Sequence, residues 1–201
     1  MPQKIAFYHN PQSRAAIVHW MLEEVGADYE IHHINLLKGD HKTPEFLSLN
    51  PMGKIPTIVV YGGTVITEAP AIIAWLADAY PAADLAPPVG SAERGTYYRW
   101  LFFGGSCMEP AMADQMFKRA APERKSALGW GSYDDVIDTI EAALRPGPWL
   151  LGERFTAADV YIGAELMWAG QFGAPRIKES QGIADYVARC VARPAFIRTR
   201  A

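Results

Sequence analysis

Residues 50–72 limit what this chain can fold into more than any other stretch. Asn50-Pro51-Met52-Gly53-Lys54-Ile55-Pro56 leads into the apolar run Thr57-Ile58-Val59-Val60; after Gly62-Gly63 comes Val65-Ile66-Thr67-Glu68-Ala69-Pro70-Ala71-Ile72. Proline has no amide hydrogen, so Pro56 belongs at a strand start, edge or bulge rather than inside a central strand. A sharp turn there leaves the Ile55 main chain outside the ladder, open to an extended peptide. Gly62-Gly63 between two apolar runs predicts a hairpin. A helix opening at Glu68–Ala69 has amides without intrahelical acceptors, which attract a carboxylate. Two such devices close together point to a small, extended, acidic ligand.

The flanking residues supply the rest of an α/β half. Lys4–Tyr8 is short, apolar and stopped by Asn10-Pro11, which predicts a strand. Ala15, Val18, Leu22 and Val25 follow helical spacing, with Ser13 as N-cap and Gly26 as stop. Tyr29–Ile34 reads as a second strand, parallel to the first across a βαβ unit. Residues 38–50 read as a polar loop with one short helical turn. Glu68–Tyr80 reads as a helix with Ile72, Trp75, Leu76 and Ala79 on one face. Pro81, Pro87 and Pro88 mark a linker over 81–90. Helices are then expected over 92–116, 123–144, 156–169 and 183–192. Thr156 and Asp159 have capping-box spacing, with Phe155 placed to staple Val160. The expected domains are therefore a mixed α/β domain over 1–80, the linker, and an all-helical domain over 91–201.

Composition removes several classes of function. The formal net charge is −3 without a basic run, so nucleic acid and anionic membranes are poor partners. No apolar run approaches the ~20 residues of a membrane span. Cys107 and Cys190 are too few and too far apart for a disulfide framework or a zinc cluster, and no metal is expected. A reducing cytoplasm is the expected compartment. The residues after Met1 lack a secretory apolar region.

Several segments, taken together and in order, resemble the cytosolic glutathione S-transferases. They are Ser13-Arg14-Ala15, Asn50–Pro56, Thr67–Ile72 and Phe155-Thr156-Ala157-Ala158-Asp159-Val160. Leu36-Leu37-Lys38-Gly39-Asp40-His41 is similar to the loop of theta-like members, and Gly104–Met112 resembles a bacterial subgroup. The resemblance implies a thioredoxin-like βαβ-ββα domain followed by a helical domain, glutathione as co-substrate, a role in detoxification and a two-fold dimer. It implies a cis Ile55–Pro56 bond, with the Ile55 N–H and C=O pairing to the cysteinyl backbone of glutathione. The γ-glutamyl carboxylate would lie on the Glu68 and Ala69 amides, and the Glu68 carboxylate would face the γ-glutamyl ammonium. His41 and Lys54 would sit by the glycyl carboxylate. Family members usually have serine where this chain has Ala69; the lost hydroxyl weakens binding by about 0.5–1.5 kcal/mol, one neutral hydrogen bond.

The resemblance also frames the chemistry. These enzymes lower the thiol pKa of glutathione with a donor near the end of the first strand. Tyr8 stands where tyrosine-type members place that donor and Asn10 where serine- and cysteine-type members place theirs, while Ser13 opens the helix with hydroxyl and amide toward the sulfur; Ser13 is preferred, with Asn10 in support. Each also has a purely local role open to it: sheet residue, turn residue and helix cap. No cysteine lies in Asn10-Pro11-Gln12-Ser13, which argues against dithiol exchange. Trp100, Phe103, Cys107, Met108, Met112 and Trp168 are the expected wall for a small apolar electrophile between the two halves, with a plain helical core as the competing assignment. The expected activity is conjugation. The alternatives are glutathione-dependent dehalogenation, isomerisation or peroxide reduction, and a binding module without turnover.

Overall fold

The computed structural model describes residues 4–120 and 124–200. The chain forms two units: one holds the residues up to Leu85 together with those from Pro194 onwards, and the other runs from Ala86 to Arg193.

The first unit is built on a four-stranded sheet in the order β2-β1-β3-β4. β1 (Ile5–His9) runs parallel to β2 (Tyr29–His33), with α1 (Ala15–Val25) as the crossover. β3 (Thr57–Val59) is antiparallel to both β1 and β4 (Val65–Thr67). α2 (Pro44–Leu49) precedes β3, and α3 (Ala69–Ala79) follows β4. This is the expected thioredoxin-like arrangement. Alternation along β1 buries Ile5, Phe7 and His9 and leaves Ala6 and Tyr8 half-buried. α1 and α3 pack on each other, and Val18, Leu22, Ile72, Ile73 and Leu76 join Phe7 in a core with no exposed surface. Tyr8, with its neighbour set by the opposite parity, meets His32 of β2 and Phe46 of α2.

Local details depart from expectation for identifiable reasons. α1 starts at Ala15, with Arg14 rather than Ser13 in the capping position. Ser13 lies one residue outside, where its Oγ accepts from the Ala15 amide at 3.1 Å. Gly26 ends the helix in the left-handed region, φ 65°. The hairpin connection is a tight 3₁₀ turn over Tyr61–Gly63, with Gly62 and Gly63 at φ 74° and 77°, so both strands are shorter than expected. A further helix, α9 (Pro194–Arg198), packs on α1: the Phe196 ring stands edge-on to Trp20 at 5.2 Å, and Arg198 donates to the Glu23 carbonyl at 2.9 Å. The expected helical domain over 91–201 therefore loses its last segment to the first unit.

The second unit is helical. α4 (Ala92–Phe103) and α5 (Glu109–Met116) are joined by a π-helical turn, Gly104–Met108, instead of forming one α-helix over 92–116. Pro110 has no N–H for the Ser106 carbonyl, and its ring would crowd that carbonyl in a regular helix. Gly104 meets α7 (Ala157–Gln171) so closely that a Cβ would sit 2.4 Å from Tyr161. The helix expected over 123–144 begins at residue 123, outside the described residues. The described helix is α6 (Tyr133–Ala143), started by a capping box between Ser132 and Asp135 after Gly131 at φ 66°. α7 has the expected Thr156–Asp159 capping box, and α8 (Gln181–Val191) packs on it.

Candidate active site

Strand register assembles the site. Tyr8 pairs with Thr57, and Thr57 pairs with Thr67. Continued by one residue, that register sets Pro56 between His9 on one side and Glu68 on the other.

The Ile55–Pro56 bond is cis. Among the described residues, neither the Ile55 amide nor its carbonyl has a hydrogen-bond partner. The loop before it is held by buried Asn50, whose Nδ2 donates to the Lys54 carbonyl at 2.8 Å. Thr57 Oγ1 donates to the same carbonyl at 3.1 Å. Lys54 itself is exposed. Gly53, at φ 58°, lets the 3₁₀ turn Asp40–Lys42 close on this loop: a Cβ there would meet the His41 carbonyl at 2.7 Å. That approach brings the His41 main chain against Gly53. His41 is half-buried, and its Nδ1 is buried without a partner. Lys42, which sequence reasoning missed, also arrives here, with Nζ 3.1 Å from the Met52 carbonyl.

Glu68 is the N-cap of α3, at φ 66° and ψ 118°, with no side-chain capping bond and an exposed carboxylate. A non-glycine residue in that backbone region costs of order 1–3 kcal/mol and is concentrated at ligand clamps. Pro70, in the first turn, removes one amide. The remaining first-turn amides, Ala69 among them, lack intrahelical acceptors. Ala69 is buried.

The donor candidates separate clearly. The Ser13 hydroxyl already gives its proton to the Asn10 carbonyl at 2.7 Å. The Asn10 side chain accepts from Gln12 N at 2.9 Å through Oδ1 and donates to the Ile34 carbonyl at 2.8 Å through Nδ2. Nδ2 carries a second hydrogen, for which no acceptor occurs among the described residues. Tyr8 is stacked on His32 at 5.0 Å and edge-on to Phe46 at 5.6 Å.

Beneath the β1–α1 turn lies a cluster that the sequence argument did not use. His9 is buried, 5.0 Å from the Phe7 ring and 5.1 Å from the His19 ring. Its Nδ1 has no partner. His19 Nε2 shares a 2.9 Å hydrogen bond with the Tyr29 hydroxyl, which donates to Glu23 at 2.6 Å. Burial, then the positive charge possible on His19 and His33, pushes the His9 pKa down to about 4. Burial also lowers that of His19 and raises that of Tyr29. The strand expected over Lys4–Tyr8 stops one residue short of His9, which continues the buried alternation of Ile5 and Phe7.

In the second unit, Trp100 and Met108 are core residues, 1% and 0% exposed, so they do not serve as an open wall. Phe103, Cys107, Met112 and Trp168 are each partly exposed. The expected face of Trp100, Phe103 and Cys107 is broken by the π turn, which adds a residue between Phe103 and the helix beyond. Cys107 Sγ lies 3.8 Å from the Gly129 carbonyl. No cluster of three or more His, Cys, Asp or Glu suited to a metal occurs among the described residues. No helix among them is long and apolar enough to cross a membrane.

The chain is similar in sequence and fold to known proteins. Residues 13–79 match the family model described as glutathione S-transferase, N-terminal domain, and residues 119–189 match that of the C-terminal domain. The chain is 27% identical to glutathione S-transferase GstA of Escherichia coli O157:H7, over 93% of this chain and 92% of that one. It is 30% identical to the maleylacetoacetate isomerase of Pseudomonas aeruginosa, over 85% and 83%. A solved sphingomonad glutathione S-transferase complexed with glutathione superimposes with a TM-score of 0.79 at 28% identity, covering 96% of each chain.

Proposed function

This chain belongs to the glutathione S-transferase family, and from that membership we infer that it activates the thiol of glutathione for attack on small hydrophobic electrophiles. The observation that carries the ligand is the unpartnered Ile55 main chain next to the strained Glu68. A tripeptide pairs with Ile55 as one residue of added strand. Its γ-glutamyl carboxylate takes the first-turn amides of α3, at the positive end of the helix dipole. The Glu68 carboxylate meets the γ-glutamyl ammonium. Lys54 and Lys42 supply positive charge for the glycyl carboxylate, and His41 a ring nitrogen beside it.

For the sulfur we put Asn10 first, since its Nδ2 retains a hydrogen to donate, and place Ser13 behind it as the residue that fixes the Asn10 carbonyl. A donor to the sulfur favours the thiolate over the thiol. Phe103, Cys107, Met112 and Trp168 are the residues we assign to the electrophile. We further propose a two-fold dimer in the cytoplasm, supported by the family's usual assembly; sedimentation that gives a 22.2 kDa monomer at all concentrations refutes the dimer.

Activity toward a chlorinated nitrobenzene tests the reading. Asn10→Ala is expected to lower kcat/KM by roughly 10²-fold, Ser13→Ala by roughly tenfold, and Tyr8→Phe by less than about threefold. Loss confined to Tyr8→Phe reverses the assignment. Glutathione binding without turnover makes the chain a binding module, a role that Ala69 would suit. The isomerase relative favours a second outcome, double-bond isomerisation with no net consumption of glutathione, which the same assay separates by thiol titration.

A further inference from the structure

Two side chains converge on one carbonyl in the loop before β3. Asn50 Nδ2 donates to the Lys54 oxygen at 2.8 Å, and Thr57 Oγ1 donates to the same oxygen at 3.1 Å. Asn50 Nδ2 also faces Thr57 Oγ1 at 3.4 Å, and Asn50 Oδ1 accepts from Met52 N at 3.1 Å. The two residues are 3% and 0% exposed, so the network lies away from water, where each bond is electrostatically stronger. Both are tied to regular structure. Asn50 ends α2, with its N–H on the Phe46 carbonyl at 2.9 Å. Thr57 opens β3, opposite Tyr8 on one side and Thr67 on the other.

That carbonyl belongs to the Lys54–Ile55 peptide, a planar trans unit whose C=O and N–H point in opposite directions. Drawing the Lys54 oxygen toward Asn50 and Thr57 turns the Ile55 N–H the other way, and it has no partner there among the described residues. We propose that Asn50 and Thr57 are positioning residues for glutathione: they hold the Lys54 carbonyl, and through the rigid peptide plane they aim the Ile55 N–H at the cysteinyl carbonyl of the tripeptide. The proposal rests on the ligand reading above. Neither side chain touches the ligand; both act through the Lys54–Ile55 peptide.

The choice of carbonyl separates this role from a plain loop staple. Other carbonyls of the loop have their own partners: that of Asn50 accepts from Gly53 N at 2.8 Å, and that of Met52 from Lys42 Nζ at 3.1 Å. The two buried side-chain donors both go to the one carbonyl whose peptide carries the open N–H. With a donor removed, that peptide is free to rock about its ends. A hydrogen bond weakens steeply as it leaves linearity, so a misaimed N–H loses the ligand bond. A peptide already held in the binding direction spares the ligand that ordering.

The experiment compares wild type with Thr57→Val, which keeps the branched shape and loses the hydroxyl, with Thr57→Ser, which keeps the hydroxyl, and with Asn50→Ala. Calorimetry gives the Kd of each for glutathione and for its analogue with an ester in place of the cysteinyl–glycine amide, whose cysteinyl carbonyl is the poorer acceptor. Wild type is expected to bind the ester about fivefold more weakly than glutathione. Thr57→Val and Asn50→Ala are expected to bind glutathione about fivefold more weakly than wild type and to separate the two ligands by less than about twofold, with Thr57→Ser restoring both values. A merely structural role lowers the melting temperature and leaves the ratio between the ligands unchanged. Folded variants with the wild-type ratio, or a wild type indifferent to the ester, overturn the positioning role. Should the variants not fold, the Ile55 amide proton of wild type decides by NMR: a downfield shift with glutathione, smaller with the ester, supports the role, and a proton unmoved by glutathione overturns it. Wild type that binds no glutathione at millimolar concentration removes the ligand reading itself. Normal binding with an unchanged ratio in the variants removes only the positioning role.

Discussion

Burial moves the His9 pKa from 6.5 to about 4, with His19 and His33 adding to the effect. The unfolded chain takes up this proton as the pH falls through 6.5, whereas the folded chain takes it up only near 4. Stability from this group is therefore intact above 6.5 and declines as the pH drops through that window, by up to roughly 3 kcal/mol at about 1.4 per unit. His19 is lowered in the same direction and adds to the slope. Denaturant titrations across that range are expected to show the decline, with a flatter profile in His9→Phe. Gly104 gives a second prediction. Its alanine variant would place Cβ 2.4 Å from the Tyr161 ring, which is buried and has no room to move. A loss of about 1–3 kcal/mol is expected in thermal unfolding. Neither residue declared itself in the sequence. A histidine in a strand and a glycine in a helix are individually ambiguous, and their meaning comes from neighbours distant along the chain.

Helix starts were more legible than helix continuity. Thr156 and Asp159 show their capping spacing directly, and the structure has both bonds of the box. The Asp159 carboxylate also accepts from Leu150 N at 2.9 Å and the Tyr186 hydroxyl at 3.1 Å. Burial pushes its pKa up, and these donors pull it back. Asp159→Ala strands buried donors on the loop before α7, on α8 and at the cap itself, so a loss of about 3–5 kcal/mol is expected in urea unfolding, with Asp159→Asn milder. Ser132 and Asp135 carry the same signal, obscured by the apolar residues before them that also follow helical spacing. The π turn at Gly104–Met108 was invisible because helical periodicity tolerates one inserted residue. Only Pro110, read for the bond it cannot make, pointed to it. In the sheet, Pro56 was readable because proline lacks an amide hydrogen, and Gly62-Gly63 because glycine alone takes the positive φ of a tight connection at no steric cost. The donor order was not, because the Ser13 proton is committed to a carbonyl made near only by the turn itself.

Across the whole chain, composition and motif order gave the class and the family, but not the membership of its last residues. α9 is too short to stand out by periodicity, and its partner surface on α1 lies more than 170 residues earlier. Phe196→Ala removes the ring over Trp20 and is expected to lower the stability of the first unit by about 2–4 kcal/mol, read from Trp20 fluorescence in denaturant. Arg198→Ala, which breaks a solvent-facing pair, is expected to cost under about 1 kcal/mol in the same measurement. Because α9 comes after the helical segment in the chain, synthesis runs in an order that the fold does not. On a translating ribosome the 86–193 segment is released before the nascent sheet unit receives its final helix, so the half that begins first is the half completed last.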